Sequence, residues 1–198
     1  MFWLPEPPPG TPVCIGFDGS DVSDFTALQA ETMDGYSFTP RFGGGPTIWN
    51  PAEFGDHRIP RTMVAAAVGD IFERFHVIRG YFDPPGWVSE IEAWALEHGE
   101  ERVVLWETYR PRQMHQSLER FVNDLQSGGI THDGCPIAAA HIANAVKATR
   151  RNDTYVLAKA SKEQKIDAAM ARVLAHEARA DVLASGWTAE TEPSIFFI

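Results

Sequence analysis

The chain has 198 residues, 44% of them apolar, which is enough for one substantial core and favours a single α/β domain over two small ones. A formal net charge of −10 and a pI near 5.1 exclude a surface that coats nucleic acid indiscriminately, since that affinity comes from Lys and Arg neutralising phosphates; a local basic track beside a carboxylate cluster stays compatible with it. Cys14 and Cys135 show neither CxxC nor Cys/His spacing, which argues against a zinc site or disulfide framework, and no apolar run approaches the roughly 20 residues of a membrane span.

Residues 1–11, with Pro5, Pro7, Pro8 and Pro9, read as an extended arm or linker remnant, and 12–198 as the domain. The opening lacks the basic and continuous apolar regions of a signal peptide, so a reducing cytoplasm is expected. Residues 12–17 predict a first strand ending at Asp18, and 25–31 and 36–42 a hairpin around Asp34-Gly35. The segment 43–58, with three consecutive glycines, reads as a loop. From Pro60, the spacing of Met63, Val64, Ala67, Val68, Ile71 and Phe75 predicts a helix. A strand over 76–82 stops at Pro84-Pro85, and Val88, Ile91, Ala95 and Leu96 predict a second helix closed by Gly99. A fifth strand follows over 102–106, then a third helix through Met114, Leu118, Phe121 and Leu125 that ends at Gly128-Gly129. The remainder predicts a fourth helix over 136–146, a short strand over 154–158 and a last helix over 166–183. This order implies an α/β mixed sheet, an antiparallel hairpin edge with parallel strands beside it, and helices on both faces.

Metal-assisted phosphodiester hydrolysis needs hard oxygen ligands from separate elements meeting at one spot. Three aspartates have the right address. Asp18 closes the first strand and Asp83 the fourth; if these strands are parallel neighbours, both emerge at the carboxyl edge where open α/β sheets bind ligands. Asp167 sits in the first turn of the last helix, beside the buried stripe of Ile166, Met170, Val173 and Leu174. Singly, each acid is as well explained as a turn former, cap or helix-dipole partner; the combination carries the reading. Glu107 is the substitute for the second acid, and Asp21 and Asp24 are further acids behind Asp18. His132, Asp133 and His141 lack the spacing of a metal site, with His141 expected as a core or near-core histidine, and Trp49 is the one aromatic to watch as a base-stacking platform. Arg110, Arg112 and His115 at the start of the third helix, and Lys147, Arg150 and Arg151 at the end of the fourth, are the candidate DNA-facing basic track, with ordinary helix-end solvation as the competing explanation.

The C-terminal third reads His141-Ile142-Ala143-Asn144-Ala145, then Leu157-Ala158-Lys159-Ala160-Ser161, then Lys165-Ile166-Asp167-Ala168-Ala169-Met170. With Gly16-Phe17-Asp18 and Phe82-Asp83-Pro84 upstream, residues 11–183 resemble the nuclease domain of phage large terminase subunits, a ribonuclease H-like family. The resemblance implies a metal-dependent endonuclease that cuts double-stranded concatemeric DNA during genome packaging in the host cytoplasm. Asp18, Asp83 and Asp167 would hold one or two Mg²⁺ or Mn²⁺ ions, and Lys159, Lys162 or Lys165 would steady the phosphate, Lys165 ranking lower because a lysine beside an acid is commonly a surface partner. It further implies the packaging ATPase, portal and small terminase as partners. The 198 residues hold no Gly-x-x-x-x-Gly-Lys-Ser/Thr phosphate loop, so the motor is expected on another segment or another chain. The alternatives are another ribonuclease H-like enzyme, resolvase or transposase-like, and a non-catalytic docking module for the motor or portal.

Overall fold

The computed structural model describes residues 3–20 and 22–189. Strand β1 (Pro12–Asp18) is the centre of the main sheet. It pairs antiparallel with β2 (Thr26–Thr32) on one side and parallel with β7 (His76–Phe82) on the other. β7 in turn pairs parallel with the outer strand β8 (Val103–Leu105). Beyond β2 lie β3 (Tyr36–Phe38), joined by the Asp34-Gly35 turn, and β9 (Thr131–His132), parallel to β3. The sheet order β8-β7-β1-β2-β3-β9 is the expected mixed sheet.

Helix α1 (Arg61–Arg74) and helix α2 (Val88–His98) cover one face. There Val64, Val68, Ile71, Ile91 and Trp94 meet Ile15, Phe17 and Phe82 in the largest core cluster. The other face is covered by α5 (Asp167–Ala184), flanked by α3 (Pro111–Ser127), with Met114, Leu118, Val173 and Leu174 packed on Cys14 and Tyr81. α5 is alanine-rich because it lies almost on the sheet. Ala168, Ala171, Ala175 and Ala178 are fully buried, and a Cβ on Gly16 would lie 2.0 Å from the Ala171 carbonyl oxygen. Only a glycine under a run of alanines allows this approach, which fixes where the first turn of α5, and so Asp167, meets the sheet. The sequence suggested a one-sided stripe for this helix; instead it is buried nearly all round, and Met170 is only partly buried. No described helix is long and apolar enough to cross a membrane.

Four local expectations change. The segment 36–42 is not one strand, because Pro40 breaks it: Arg41–Phe42 (β4) instead forms a two-residue ribbon with Gly45–Pro46 (β5) through Gly43 and Gly44, both at positive φ. The supposed loop 43–58 adds Ile48–Trp49 (β6) to β2. Trp49 is 8% exposed and belongs to the core, so it offers no stacking face. The fourth helix, α4 (Pro136–Ala143), stops at Asn144, whose side chain donates to the Lys165 carbonyl at 3.0 Å. Ala145–Thr149 (β10) then pairs antiparallel with Tyr155–Lys159 (β11), outside the main sheet, about a turn with Asn152 and Asp153 in the left-handed region. Lys147, Arg150 and Arg151 therefore belong to a hairpin and its turn and do not close a helix.

Residues 3–11 run against the domain. Leu4 N–H donates to the Asp133 carbonyl (2.7 Å), the Tyr36 hydroxyl to Pro5 O (3.1 Å), and Glu6 bridges Arg74 and the Arg41 backbone.

Candidate metal centre and nucleic-acid interface

Phe17 on β1 and Phe82 on β7 are register partners, so Asp18 and Asp83 leave two adjacent parallel strands side by side. The Asp83 N–H donating to the Phe17 carbonyl at 3.0 Å extends the pairing to the acid itself. After Asp18 the chain turns at Gly19, where a Cβ would fall 2.5 Å from Trp87 Nε1; the aromatic packing of Trp87 on Phe17 holds this rim closed beneath the carboxylates. Asp167 arrives from the opposite layer, in the first turn of α5, 5% exposed, with its Oδ2 buried and without a hydrogen-bond partner.

The acids lie close enough for their charges to act on one another. Burial, then the charges of Asp167, Asp83 and Asp24, push the Asp18 carboxyl well above the ordinary carboxylate range, against Lys159. Burial, reinforced by Asp24 and opposed by Lys159 and Lys165, pushes Asp167 up to about 6. Asp83 is raised by burial and Glu107, but the Thr108 N–H (3.1 Å) and hydroxyl (3.0 Å) donate to its two oxygens and oppose the shift. Groups raised by burial together with like charge are those a cation would relieve. Among the described residues no three His, Cys, Asp or Glu side chains form a ready metal cage. Asp83 is turned toward Thr108 and the carboxylates repel one another.

Asp24 joins the cluster in a different state. Burial works against its ionisation, but Lys159 and Lys165 (2.7 Å) both bond its carboxylate and hold it below the usual range. Lys165 also donates to Ser23 O at 2.8 Å, which fixes it against the loop that carries Asp24. Lys162 is exposed on the following loop, and Asp21 lies outside the described residues. Glu107 follows β8, one strand farther out, where it accepts from the Tyr109 hydroxyl and pairs with Arg110. Asp83 is the acid that stands beside Asp18.

His141 is a near-core histidine, 4% exposed, with burial and then Lys165 and Lys159 lowering it to about 4. Neutral at pH 7, its Nδ1 accepts from the Ala168 N–H at 3.1 Å and lies 4.0 Å from Asp167 Oδ2. It thus caps the first turn of α5, which has no side-chain cap of its own. His132 is the exposed last residue of β9 and Asp133 belongs to a buried network elsewhere, so the three do not meet.

Two residues from each of the two basic clusters named from sequence come together, while His115 packs edge-on to the Tyr155 ring. Arg110 and Arg112 from the start of α3, with Arg150 and Arg151 from the hairpin turn, line one open cleft. Lys147 lies apart from it, over the Tyr155 ring at 4.2 Å.

Thr108 had no periodic or motif signal in the sequence, since its role depends on β8 ending beside β7. Replacing it with Val keeps the shape and removes the hydroxyl that holds Asp83. Were Asp83 to ligate a metal, the expected result would be a roughly tenfold loss of Mn²⁺ affinity with an unchanged circular dichroism spectrum. Calorimetric affinity equal to wild type would show Asp83 needs no such support.

No family model matches the chain. It is 31% identical over 188 residues to the Gene 13 protein of Mycobacterium phage D29 and 30% identical over 188 residues to that of Mycobacterium phage L5. Both alignments cover 89% of this chain, which spans about 30% of the length of either relative. Among solved structures it is similar to the large terminase nuclease of thermophilic phage G20c, with a TM-score of 0.63, 14% identity and coverage of 89% of this chain and 93% of that one. It is likewise similar to the HK97 bacteriophage large terminase, at 0.67 and 15% identity over 88% of this chain and 40% of that one. With β1, β7 and β8 parallel, β2 reversed and α5 laid across them, the chain has the ribonuclease H-like fold of the large-terminase nuclease domains.

Proposed function

We propose that this chain is a metal-dependent DNA endonuclease that cuts double-stranded concatemeric viral DNA during phage genome packaging. The observation that carries the reading is the convergence of Asp18, Asp83 and Asp167 from three elements on one rim, each pushed toward protonation by burial, with an unpartnered buried oxygen on Asp167. Such a donor set suits one or two Mg²⁺ or Mn²⁺ ions. A bound ion would supply an activated water and charge stabilisation for the leaving oxygen. The large terminase nuclease of phage G20c, whose fold this chain shares, has been solved with magnesium and with cobalt.

The chain's own residues supply the rest. Asp24, fixed by Lys159 and Lys165, keeps two ammonium groups at the edge of the acid cluster, where they meet an incoming phosphate. The cleft of Arg110, Arg112, Arg150 and Arg151 gives the DNA backbone a seat that the acidic remainder of the surface does not. Arg110 links the two regions through Glu107, which borders Asp83. Lys147 and Lys162, both exposed outside that cleft, are the further basic side chains offered to the DNA backbone. Acting in the host cytoplasm, the nuclease would work with a packaging ATPase, a portal and a small terminase.

Supercoiled plasmid incubated with the protein is expected to be nicked and linearised in Mn²⁺ or Mg²⁺ and left intact in EDTA. Arg150→Glu with Arg151→Glu should weaken DNA binding and flatten its salt dependence by about two counterions while leaving Mn²⁺ affinity unchanged. No cleavage with any metal, together with no calorimetric Mn²⁺ binding, would favour the docking-module alternative.

A further inference from the structure

β8 is the outer strand of the sheet and pairs only with β7 among the described residues. The Gly80 N–H donates to the Arg102 carbonyl at 2.6 Å and the Trp106 N–H to the Phe82 carbonyl at 2.9 Å. In a parallel ladder that phase turns the backbone groups of residues 102, 104 and 106 toward β7 and those of Val103 and Leu105 away. The Val103 N–H is taken by the Gly99 carbonyl at 3.0 Å. The outward edge therefore offers the Val103 carbonyl and both backbone groups of Leu105.

Natural edges are blunted by charge, by proline or by a covering element. This one is the apolar run Val103-Val104-Leu105, with Leu105 45% exposed and Leu96 of α2 82% exposed. Ile91, Ala95, Leu96 and Val104 line a groove between α2 and β8, and Glu92 and Glu100 stand in it as well. Glu90 pairs with Arg61 and Glu101 with Arg102, so Glu92 and Glu100 are the carboxylates that give the groove its acidic lining.

We propose that this edge docks an extended segment of a partner protein as an added strand. The segment's apolar side chains would fill the groove beside Leu96, and its Lys or Arg side chains would face Glu92 and Glu100. Strand addition draws affinity from main-chain hydrogen bonds and selectivity from alternate side chains. The acidic groove selects among occupants: nucleic acid is repelled, and a second copy meeting this one edge to edge would set Glu92 and Glu100 of both copies into one groove.

The test uses the whole 198-residue chain and a fluorescein-labelled heptapeptide of alternating lysine and valine, with a control peptide of equal charge in which proline replaces each valine. Anisotropy is expected to show saturable binding of the first peptide and about tenfold weaker binding of the control. The Leu105 amide should gain exchange protection on binding. Leu105→Pro removes an outward N–H that β7 does not use, a substitution edge strands tolerate, and should weaken binding about tenfold. Leu96→Lys, which alters only an exposed side chain, should do the same without touching the backbone. Equal affinity for both peptides, or an unprotected Leu105 amide, would overturn the proposal by reducing the effect to charge alone. Dimers in light scattering that Leu105→Pro dissolves would also overturn it, giving the edge to a second copy.

Discussion

Asp18→Asn is expected to lower plasmid cleavage by about a thousandfold or more while the metal-free domain melts a few degrees higher than wild type. Both effects have one cause. Asp18 lies where burial and the charges of Asp167, Asp83 and Asp24 all disfavour its ionised form. An amide of the same shape removes that repulsion, and with it the charge that would hold the metal. The sign is fixed by linkage: an acid raised in the folded state binds more protons there than in the unfolded chain, so metal-free stability falls as pH climbs from about 4. Asp167, raised to about 6, adds a decline of its own that runs to near pH 6. Asp18→Asn should flatten this part of the curve, and saturating Mn²⁺ should stabilise the wild type but not the variant. Thermal melts from pH 4 to 8, with and without Mn²⁺, separate the cases. A variant less stable than wild type at pH 8 without metal would mean Asp18 is a structural turn former, the competing explanation for an Asp before Gly-Ser.

What could be read from the sequence follows from the range of the forces involved. Strands β1, β7 and β8 and the helices α1, α2, α3 and α5 have their own periodicity and punctuation, so each is visible in its own residues. Asp18 and Asp83 were legible because the end of a parallel strand is a defined place in an α/β sheet, and Asp167 because it opens a helix. The hairpin β10–β11 was hidden. Ala145–Thr149 continues an alanine-rich helical stretch, and only pairing with Tyr155–Lys159, with Asn144 tied to the Lys165 carbonyl, decides its conformation. Thr108, the Asp24 clamp on two lysines and the capping of α5 by His141 link residues from 25 to 141 positions apart, so no local pattern announces them. The same holds for the two arginine clusters, whose shared cleft exists only because the hairpin turns back toward the start of α3.

Arg172→Met is expected to cost about 3–5 kcal/mol, enough to lower the melting temperature by roughly 10 °C. Arg172 is 3% exposed in the middle of α5, where its guanidinium donates to Asp133 Oδ1 (2.7 Å) and its Nε to Gln29 Oε1 (2.8 Å). Asp133, 1% exposed, also accepts from the Cys135 N–H (3.0 Å), the Thr39 N–H (2.7 Å) and Trp3 Nε1 (3.0 Å). One carboxylate thus ties the end of β3, the start of α4, the N-terminal arm and the most buried helix together, and Arg172 carries the link on to Gln29 of β2. Removing the guanidinium leaves that carboxylate buried without a countercharge, and the pH dependence reports it. In the wild type, burial opposes ionisation of Asp133, but the charge of Arg172 and the backbone donors outweigh it and hold the group below the ordinary range. Its contribution is therefore present above about pH 4, the unfolded value, and is lost as pH falls through the folded one. Without Arg172, burial is left with weaker opposition and the group moves upward. The variant should then fall farthest behind wild type at pH 7 and recover part of the difference toward pH 3, as its Asp133, without the lowering charge, takes up a proton before that of the wild type. A deficit of equal size at pH 3 and pH 7 would locate the damage in lost packing of the Arg172 side chain against β2, with the ion pair contributing nothing of its own.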